Sequence, residues 1–319
     1  SIIEVGAGDA RLAIDVMEYA PILDVGFGRA MDYVGIDRHA PPADFSGDWV
    51  DTGTLPQSDR PGVVVANELV DAMPVHRVTI VDGELHEIYV GIGADGRFEE
   101  RIGLPSSPEL ESQLMSLGVH LSEGFRTEVN LSAGEWCKRA YTAIGRGYLL
   151  LIDYGHEAVD YYHEDRRRGT LRCYSGHALS MNPYVNVGRQ DISVHVEVTS
   201  LRRAALEAGF VDAGMTTQAD LLAALGMGAY RFEVESRADV SPSVRSANIR
   251  LMDSLIDPGG MGGFKVLAFS KDSPCEEVLG VAVGEPWPAP MATPSHMPLN
   301  VAGVERRDWP DGGFLLHSI

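Results

Sequence analysis

Three polar side chains follow a run of apolar residues, and their types and spacing suit the handling of a proton. Asn67, Glu68 and Asp71 come after residues 63–66, Val-Val-Val-Ala, a run typical of a buried strand. Ligands of open α/β sheets lie at the carboxyl ends of the strands. We therefore assign Asn67 to a cofactor and the two acids to an amine or cationic acceptor, which they could orient and deprotonate. The alternative is a helix over residues 67–73, capped by the Asn, with acids in its first turn.

Further candidates for catalysis are His76, Asp191 and His195. His76 follows Asn67, Glu68 and Asp71 in the chain. The other two lie in residues 169–196, where Gly-Thr-Leu-Arg and Asp-Ile-Ser-Val-His clusters interrupt regular structure. We expect this region to line an acceptor pocket, although a lone histidine more often has a structural role. The sequence holds no nucleophile elbow, P-loop or zinc-type His-Glu-x-x-His motif, so it favours group transfer over hydrolysis and predicts no metal site.

A glycine turn after the first predicted strand is the candidate cofactor loop. Its residues 4–8 read Glu-Val-Gly-Ala-Gly, and the third glycine of a dinucleotide fingerprint is replaced by Arg11. An acid two positions before the first glycine is typical instead of loops that bind S-adenosylmethionine. We assign Glu4, Gly6, Ala7 and Gly8 to this cofactor, because glycines let the backbone approach a ligand closely. The alternative is a purely structural turn between strand and helix.

A near-copy of this loop at residues 24–30 is the weaker candidate. It leaves two residues before the next predicted strand, 33–36, too few for the crossover helix that parallel strands require. Asp37 ends that strand, where an acid can accept hydrogen bonds from both ribose hydroxyls of a nucleotide. Asp51 is a further candidate, for an adenine amino group. The alternative for Asp37 is an ordinary turn aspartate.

The elements that must position these residues alternate between strand and helix. Strand-like and helical runs predict a mostly parallel sheet covered on both faces. The predicted strands are residues 2–5, 33–36, 62–66, 148–152 and 263–269. The predicted helices are residues 11–20, 133–144 and 199–208, and a further helix starts at residues 106–109. Two Asp-Gly turns predict an antiparallel meander over residues 75–102. Residues 156–198 are polar and irregular, which predicts a substrate-region insertion. We expect one domain over residues 1–271 and a proline-rich tail over residues 272–319.

Composition excludes several functional classes. The formal net charge of −20 argues against binding to nucleic acid and tolerates a cationic partner. Apolar runs are far shorter than the roughly 20 residues of a membrane span, so no membrane is expected as a partner. The 3 cysteines form no Cys-x-x-Cys pair, which favours a reducing compartment: the cytoplasm, or the mitochondrial matrix in a eukaryote.

Six motifs in order resemble the MidA-like class I S-adenosylmethionine-dependent methyltransferases, a family that includes the mitochondrial complex I assembly-factor arginine methyltransferase. The motifs are residues 4–8, 67–77, 151–155 (Leu-Ile-Asp-Tyr-Gly), 169–174 with His177, 191–196 and 264–267. The resemblance implies a Rossmann-like α/β fold with a mostly parallel seven-stranded sheet, whose one antiparallel strand lies near residues 264–269. It also implies S-adenosylmethionine as cofactor and a methyl-acceptor protein or peptide as partner, with arginine as a known target.

Other functions stay open at this point. The chain could methylate a peptide or small biosynthetic molecule, or act as a non-catalytic assembly factor, and a homodimer is an option. An NAD oxidoreductase is disfavoured by Arg11.

Overall fold

A computed structural model describes residues 1–43, 45–50, 55–175 and 178–275. The strands, in chain order, are β1 Ile2–Val5, β2 Tyr33–Ile36, β3 Asp48–Val50, β4 Pro61–Asn67, β5 His76–Val81, β6 Glu84–Ile92, β7 Phe98–Gly103, β8 Arg126–Val129, β9 Arg146–Asp153, β10 Gly155–His156, β11 Arg172–Ser175, β12 Ala178–Ser180, β13 Asp191–Ser193, β14 Val196–Glu197, β15 Val211–Thr217 and β16 Lys265–Lys271. The helices are α1 Arg11–Leu23, α2 Val25–Ala30, α3 Pro108–Ser116, α4 Ala133–Thr142, α5 Ala158–Tyr161, α6 Val198–Glu207, α7 Gln218–Ala224, α8 Met227–Ser236 and α9 Pro242–Ile256.

The main sheet has seven strands in the order β15-β16-β9-β4-β1-β2-β3. The five strands from β9 to β3 pair in parallel, and β16 pairs antiparallel with both β9 and β15. The prediction of a mostly parallel sheet with one reversed strand near residues 264–269 is therefore confirmed. In this order β1 and β4 are central neighbours, so the segments that follow them emerge side by side at the carboxyl edge.

The core explains why these apolar runs form strands. Side chains from the central strands, such as Ile3, Val64 and Leu149, pack with α4 and α6 through Cys137 and Leu201. All five are nearly or fully buried, and burying an aliphatic side chain of this size stabilises the fold by about 1.5–3 kcal/mol. The sheet is therefore a rigid base for the loops at its edge.

A second, antiparallel sheet follows β4 and has the order β7-β6-β5-β8. The first hairpin turns at Asp82 and Gly83, whose φ angles of 54° and 78° are those that a two-residue turn between twisted strands requires. The predicted meander is confirmed for β5, β6 and β7. The sequence did not predict β8, which follows α3 and completes the sheet.

Residues 156–198 are more regular than their sequence suggested. They form α5 and several short strands: β10 pairs with β14, and β11 lies between β12 and β13. A small core of Leu171, Cys173 and Val194 packs against Val75, in the segment that leads from β4 to the second sheet. The expectation of an irregular segment was wrong, because strand pairing between distant short runs supplies the order that local pattern lacks. The insertion is thereby fixed beside the loop that follows β4.

The region between β15 and β16 holds three helices, α7, α8 and α9, which the sequence pattern did not predict. None of the helices in the described ranges combines the length and the apolar character that crossing a bilayer demands.

Candidate active site

The glycine loop after β1 adopts a backbone that favours glycine. Gly6 and Gly8 have φ angles of 78° and 54°, which residues with a side chain rarely adopt. The amide groups of Gly6 and Ala7 donate to the carbonyl of Ile36, at 2.8 and 3.1 Å. A Cβ added at Gly6 would lie 3.0 Å from Leu69, whereas one at Gly8 would meet no atom within 4 Å. The loop is thus held to β2 on one side and leaves open space at Gly8.

Asp37 joins this loop to the end of β2. Its Oδ2 accepts a hydrogen bond from the Gly8 amide at 2.9 Å, and its Oδ1 lies 2.9 Å from the amide and 3.0 Å from the ring Nδ1 of His39. Burial alone would raise the pKa of Asp37, but the backbone hydrogen bonds from His39 and Gly8 lower it below its usual value. Asp37 is therefore ionised at neutral pH. A ligand with two hydroxyls would need the His39 ring to move, and that ring is largely exposed.

Glu4 lies beneath the loop and not at its surface. It is buried, and its Oε2 accepts a hydrogen bond from the Tyr33 hydroxyl at 2.8 Å. Burial raises the pKa of Glu4 to about 7, although the Tyr33 hydrogen bond acts in the opposite direction. In this structure Glu4 connects β1 to β2 below the open space at Gly8.

The segment that follows β4 is a loop, so the alternative of a capped helix over residues 67–73 is wrong. Glu68 has a φ angle of 49°, which breaks any helix at its start, and its amide donates to the carbonyl of Ile152 on β9 at 2.9 Å. The Asn67 side-chain amide lies 3.4 Å from Glu68 Oε1. Glu68 is exposed, yet its pKa is raised, first by partial desolvation within the loop and then by the charge of Asp71.

Asp71 is the centre of a buried polar cluster that links three segments of the chain. Its Oδ2 accepts a hydrogen bond from the Tyr154 hydroxyl, which also lies 2.6 Å from Ser193 Oγ. Its backbone carbonyl accepts a hydrogen bond from the Val194 amide at 3.0 Å. Asp71 is 7% exposed, and its Oδ1 is buried without a well-formed hydrogen bond among the described residues. Against the larger effect of burial, the Tyr154 hydroxyl and the backbone amides of Ala72 and Asp71 act on this carboxyl in the direction that lowers its pKa. An acceptor oxygen in this condition is suited to a donor supplied by a ligand.

Asp153, at the end of β9, holds the loop in place. Its Oδ2 accepts hydrogen bonds from the amides of Val70 and Asp71, at 3.0 and 3.1 Å, and its Oδ1 accepts one from the Tyr154 amide at 2.9 Å. Burial, and then the charge of Asp71, raise the pKa of Asp153 well above its usual value. Burial likewise raises the pKa of Asp71. Two buried acids this close titrate as a linked pair, so a cation beside them would favour their ionised forms.

A second polar chain reaches the cluster from the insertion. The His195 ring contacts the edge of the Tyr154 ring with centroids 5.3 Å apart, and its Nδ1 lies 3.0 Å from His156 Nε2. The His195 amide donates to Thr170 Oγ1 at 3.1 Å, and Thr170 donates to the buried carboxylate of Glu128. Burial, followed by the neighbouring His156, lowers the pKa of His195 to about 4. His195 is therefore neutral near pH 7.

The remaining predicted residues lie apart from this cluster. His76 Nδ1 is 2.7 Å from the carboxylate of Glu87 in the second sheet. Burial would raise the pKa of Glu87, but hydrogen bonds from Ser106 and His76 lower it to about 2. Asp191 is exposed at the start of β13, opposite Tyr174 in the strand register. Among the described residues, no hydrogen bond joins His76 or Asp191 to Asp71. Asp51 and His177 lie outside the described residues.

Sequence reasoning missed Asp153, Tyr154 and Ser193 as site residues. Asp153 ends an apolar strand-like run, and that is the signal which identified the acids after β4. Applied to β9, the neighbour of β4, the same rule would have found it. Nothing local marks Ser193, since only the folded chain brings it to Tyr154. The cluster as a whole can bind a cation at two acids and accept a proton from it.

A family profile and two curated proteins match this chain. The profile of the family described as "Putative S-adenosyl-L-methionine-dependent methyltransferase" matches residues 1–216. The protein arginine methyltransferase NDUFAF7, mitochondrial, of Danio rerio is 26% identical over 203 residues, 63% of this chain and 45% of that protein. Its Drosophila melanogaster homologue is 26% identical over 211 residues, 65% of this chain and 46% of that protein. The matched part is less than half the length of either relative.

Two crystal structures of COG1565 superfamily proteins from Burkholderia thailandensis share the fold. The one with S-adenosyl-homocysteine bound has a TM-score of 0.73 and 29% identity, covering 88% of this chain and 74% of that one. The native structure has a TM-score of 0.71 and 29% identity, with coverage of 85% and 73%.

Proposed function

This chain belongs to the family of S-adenosyl-L-methionine-dependent methyltransferases, and from that premise we propose that it transfers a methyl group to an arginine guanidinium of a protein substrate. The cofactor of the family is S-adenosylmethionine. Family and cofactor are shown, and the identity of the methyl acceptor is what we propose. The two curated relatives support it, since both are named protein arginine methyltransferases, at 26% identity.

The observation that carries the proposal is the unpartnered oxygen of Asp71. Asp71 Oδ1 is buried and accepts no well-formed hydrogen bond from the described residues, while Oδ2 is held by Tyr154. A buried acceptor left unsatisfied costs about 1–3 kcal/mol, which a ligand donor would recover. A guanidinium presents five N–H donors in a planar fork, so it could engage Asp71 with one N–H and Glu68 with another.

The acidic pair also suits the chemistry of a guanidinium. Arginine stays charged near neutral pH, so one nitrogen must lose a proton as it gains a methyl group. Glu68 and Asp71 have raised pKa values, which makes each a better proton acceptor than an ordinary surface acid. We assign Asp71 to orientation of the guanidinium and Glu68, at the exposed side, to receipt of the proton.

The glycine loop and Asp37 are the proposed cofactor side. S-adenosylmethionine, when bound, supplies a methyl group on a positively charged sulfur that a nitrogen lone pair can attack. Asp37 is ionised and can accept hydrogen bonds from ribose hydroxyls, and the space at Gly8 lets a ligand reach the backbone. Gly6 and Ala7 hold the loop to β2, and Glu4 links β1 to β2 through Tyr33. We assign Asn67 to the cofactor as well; its side-chain amide lies 3.4 Å from Glu68 Oε1.

The test identifies the methylated amino acid. The protein is incubated with S-adenosylmethionine carrying a labelled methyl group and with protein extract from the cell that produces it, and the labelled proteins are hydrolysed to amino acids. We expect the label on methylarginine. Label on another amino acid or on a small molecule would contradict the proposal, and so would binding of the cofactor without transfer. The cytoplasmic location expected from the sequence stays a prediction.

A further inference from the structure

A cavity beside the candidate active site has four arginines among its lining residues, although the protein is strongly acidic. The cavity has a volume of about 370 Å³ and its wall includes Arg166, Arg167, Arg168, Arg172 and His195. This volume lies within the range of about 300–1,000 Å³ that small-molecule and side-chain pockets occupy. The chain as a whole carries 46 acidic and 26 basic residues. Four arginines around one cavity therefore depart from the composition of the chain.

Most of this positive charge is not neutralised within the described part of the protein. Two acids also line the cavity, so the four arginines outnumber them: Glu164 pairs with Arg167 at 3.1 Å, and Asp165 lies 3.2 Å from the ring of His163. In the described ranges no carboxylate lies within ion-pair distance of the other three arginines, Arg166, Arg168 and Arg172.

The hydrogen bonds of these three arginines leave most of their donors available. Arg166 Nη1 donates to the carbonyl of Asp160 at 2.7 Å, and Arg172 Nη1 donates to the carbonyl of Leu171 at 2.8 Å. A guanidinium has five N–H donors, and each of these bonds uses one. Carbonyl acceptors leave the charge itself unpaired. The cavity therefore has both the charge and the donors that an anion needs.

His195 connects the cavity to the acidic cluster. His195 forms part of the cavity wall, and its ring contacts Tyr154, whose hydroxyl donates to Asp71. Charges of Arg172 and Arg166 add to the burial and the His156 contact that lower the pKa of His195, which places positive potential at this boundary. A negative subsite and a positive subsite thus lie on the two sides of one His195–Tyr154 contact. A matching ligand carries a cation and an anion close together.

We propose that this cavity binds the carboxylates of acidic residues that neighbour the target arginine in the substrate. The inference rests on the proposed function, since the arginine would occupy the acidic side. Guanidinium forks pair with carboxylates in two parallel hydrogen bonds, so Arg168 and Arg172 would select acidic neighbours over neutral ones. Such selection acts through substrate affinity and leaves the transfer step itself to the acidic cluster.

The test compares two peptides that differ only in charge. The probes are the blocked peptide Ac-Gly-Arg-Gly-Glu-Glu-Gly-amide and its counterpart with both Glu replaced by Gln, titrated calorimetrically into the whole protein with S-adenosyl-homocysteine present. We expect the Glu peptide to bind at least about tenfold more tightly, the effect of one charge-assisted hydrogen bond. R168Q and R172Q should each remove most of this preference and leave the Gln peptide unaffected.

A matched control keeps the interpretation specific. R146Q makes the same change at the start of β9, the opposite end of the strand that ends at Asp153, and should keep the full preference. Urea unfolding of each variant shows whether it is folded as the parent protein is.

Three results would overturn the inference. The first is equal affinity for the two peptides. The second is an unchanged preference in both folded arginine variants. The third is inorganic phosphate that, at millimolar concentration, leaves the preference for the Glu peptide unchanged, since an anion should compete for the same arginines. Failure of the proposed function is a different result, because it is read from the methylated amino acid and not from binding. A protein that methylates arginine without regard to acidic neighbours would refute only this inference.

Discussion

The substitution Asp71→Asn tests the acidic clamp most directly. It replaces a buried carboxylate with a neutral group of nearly the same shape, so the hydrogen bond from Tyr154 can persist to the amide oxygen. What it removes is the charge that would bind a guanidinium and its proton. The prediction is a large loss of methyl transfer with little loss of folding stability.

The two magnitudes follow from the contacts of Asp71. A hydrogen bond to a charged group is worth about 1.5–3 kcal/mol and a neutral one about 0.5–1.5 kcal/mol, so weakening the Tyr154 contact costs about 1 kcal/mol of folding free energy. Relief of the repulsion with Asp153 offsets part of that cost. Loss of general base or orienting function lowers the rate by about 10²-fold or more, which corresponds to about 2.7 kcal/mol in the activation barrier. The effect on turnover should therefore exceed the effect on stability.

The assay measures transfer, cofactor binding and stability on the same preparations. Turnover is followed with labelled S-adenosylmethionine on the identified acceptor, affinity by calorimetry with S-adenosyl-homocysteine, and stability by urea unfolding. Asp59→Asn is the matched control, because Asp59 is exposed and precedes the amino end of β4, whereas Asp71 follows its carboxyl end. The control should keep all three values.

Wild-type turnover in both Asp71→Asn and Glu68→Gln would refute the reasoning. The acids would then serve only to shape the loop, and the target nitrogen would be one that needs no carboxylate. A parallel loss of turnover and of cofactor affinity would place Asp71 on the cofactor side instead.

Three further predictions concern other parts of the site. Glu4→Gln should flatten the pH dependence of the free energy of unfolding. The pKa of Glu4 is about 7 in the folded state and 4.5 ordinarily, so the folded state binds the extra proton and stability falls as pH rises from 4.5 to 7, by up to about 3 kcal/mol. Urea unfolding across that pH range checks this, and a variant whose stability falls as steeply as that of the wild type would contradict it. Asp37→Ala should weaken binding of S-adenosylmethionine by about tenfold or more, and calorimetry that finds no effect removes Asp37 from the site. The matched control is Asp24→Ala, which removes the N-cap of α2, the helix that the near-copy at residues 24–30 forms. It should cost about 1 kcal/mol of stability and leave affinity unchanged. His195→Ala should lower turnover at unchanged cofactor affinity, because the His195 ring contacts Tyr154 in the acidic cluster. An equal loss of cofactor affinity would show instead that residues 169–196 have a structural role. Asp191→Asn, exposed and apart from the cluster, is the matched control and should keep both values.

The sequence by itself determined the sheet and the loops at its edge. The apolar runs of β1, β4 and β9, the glycines after β1 and the Asp-Gly turn of the meander are local patterns, each set by residues within a few positions of one another. Period, turn chemistry and positive φ are properties of short segments, so they can be read without the rest of the chain. Because carboxyl ends of parallel strands share one edge, the same patterns also predicted that Asp37 and the acids after β4 lie at that edge.

Only the tertiary structure decided which side chains meet there. Asp71, Tyr154 and Ser193 come from a loop, a strand end and the insertion, and their hydrogen bonds join residues 39 to 83 positions apart. The structure also paired His76 with Glu87 and His195 with His156, which no spacing in the sequence could distinguish. Such contacts depend on how packed elements cross in space, and a pattern of neighbouring residues carries no information about that distance. Burial, which raises the pKa of Asp71 and lowers that of His195, is likewise a property of the whole fold.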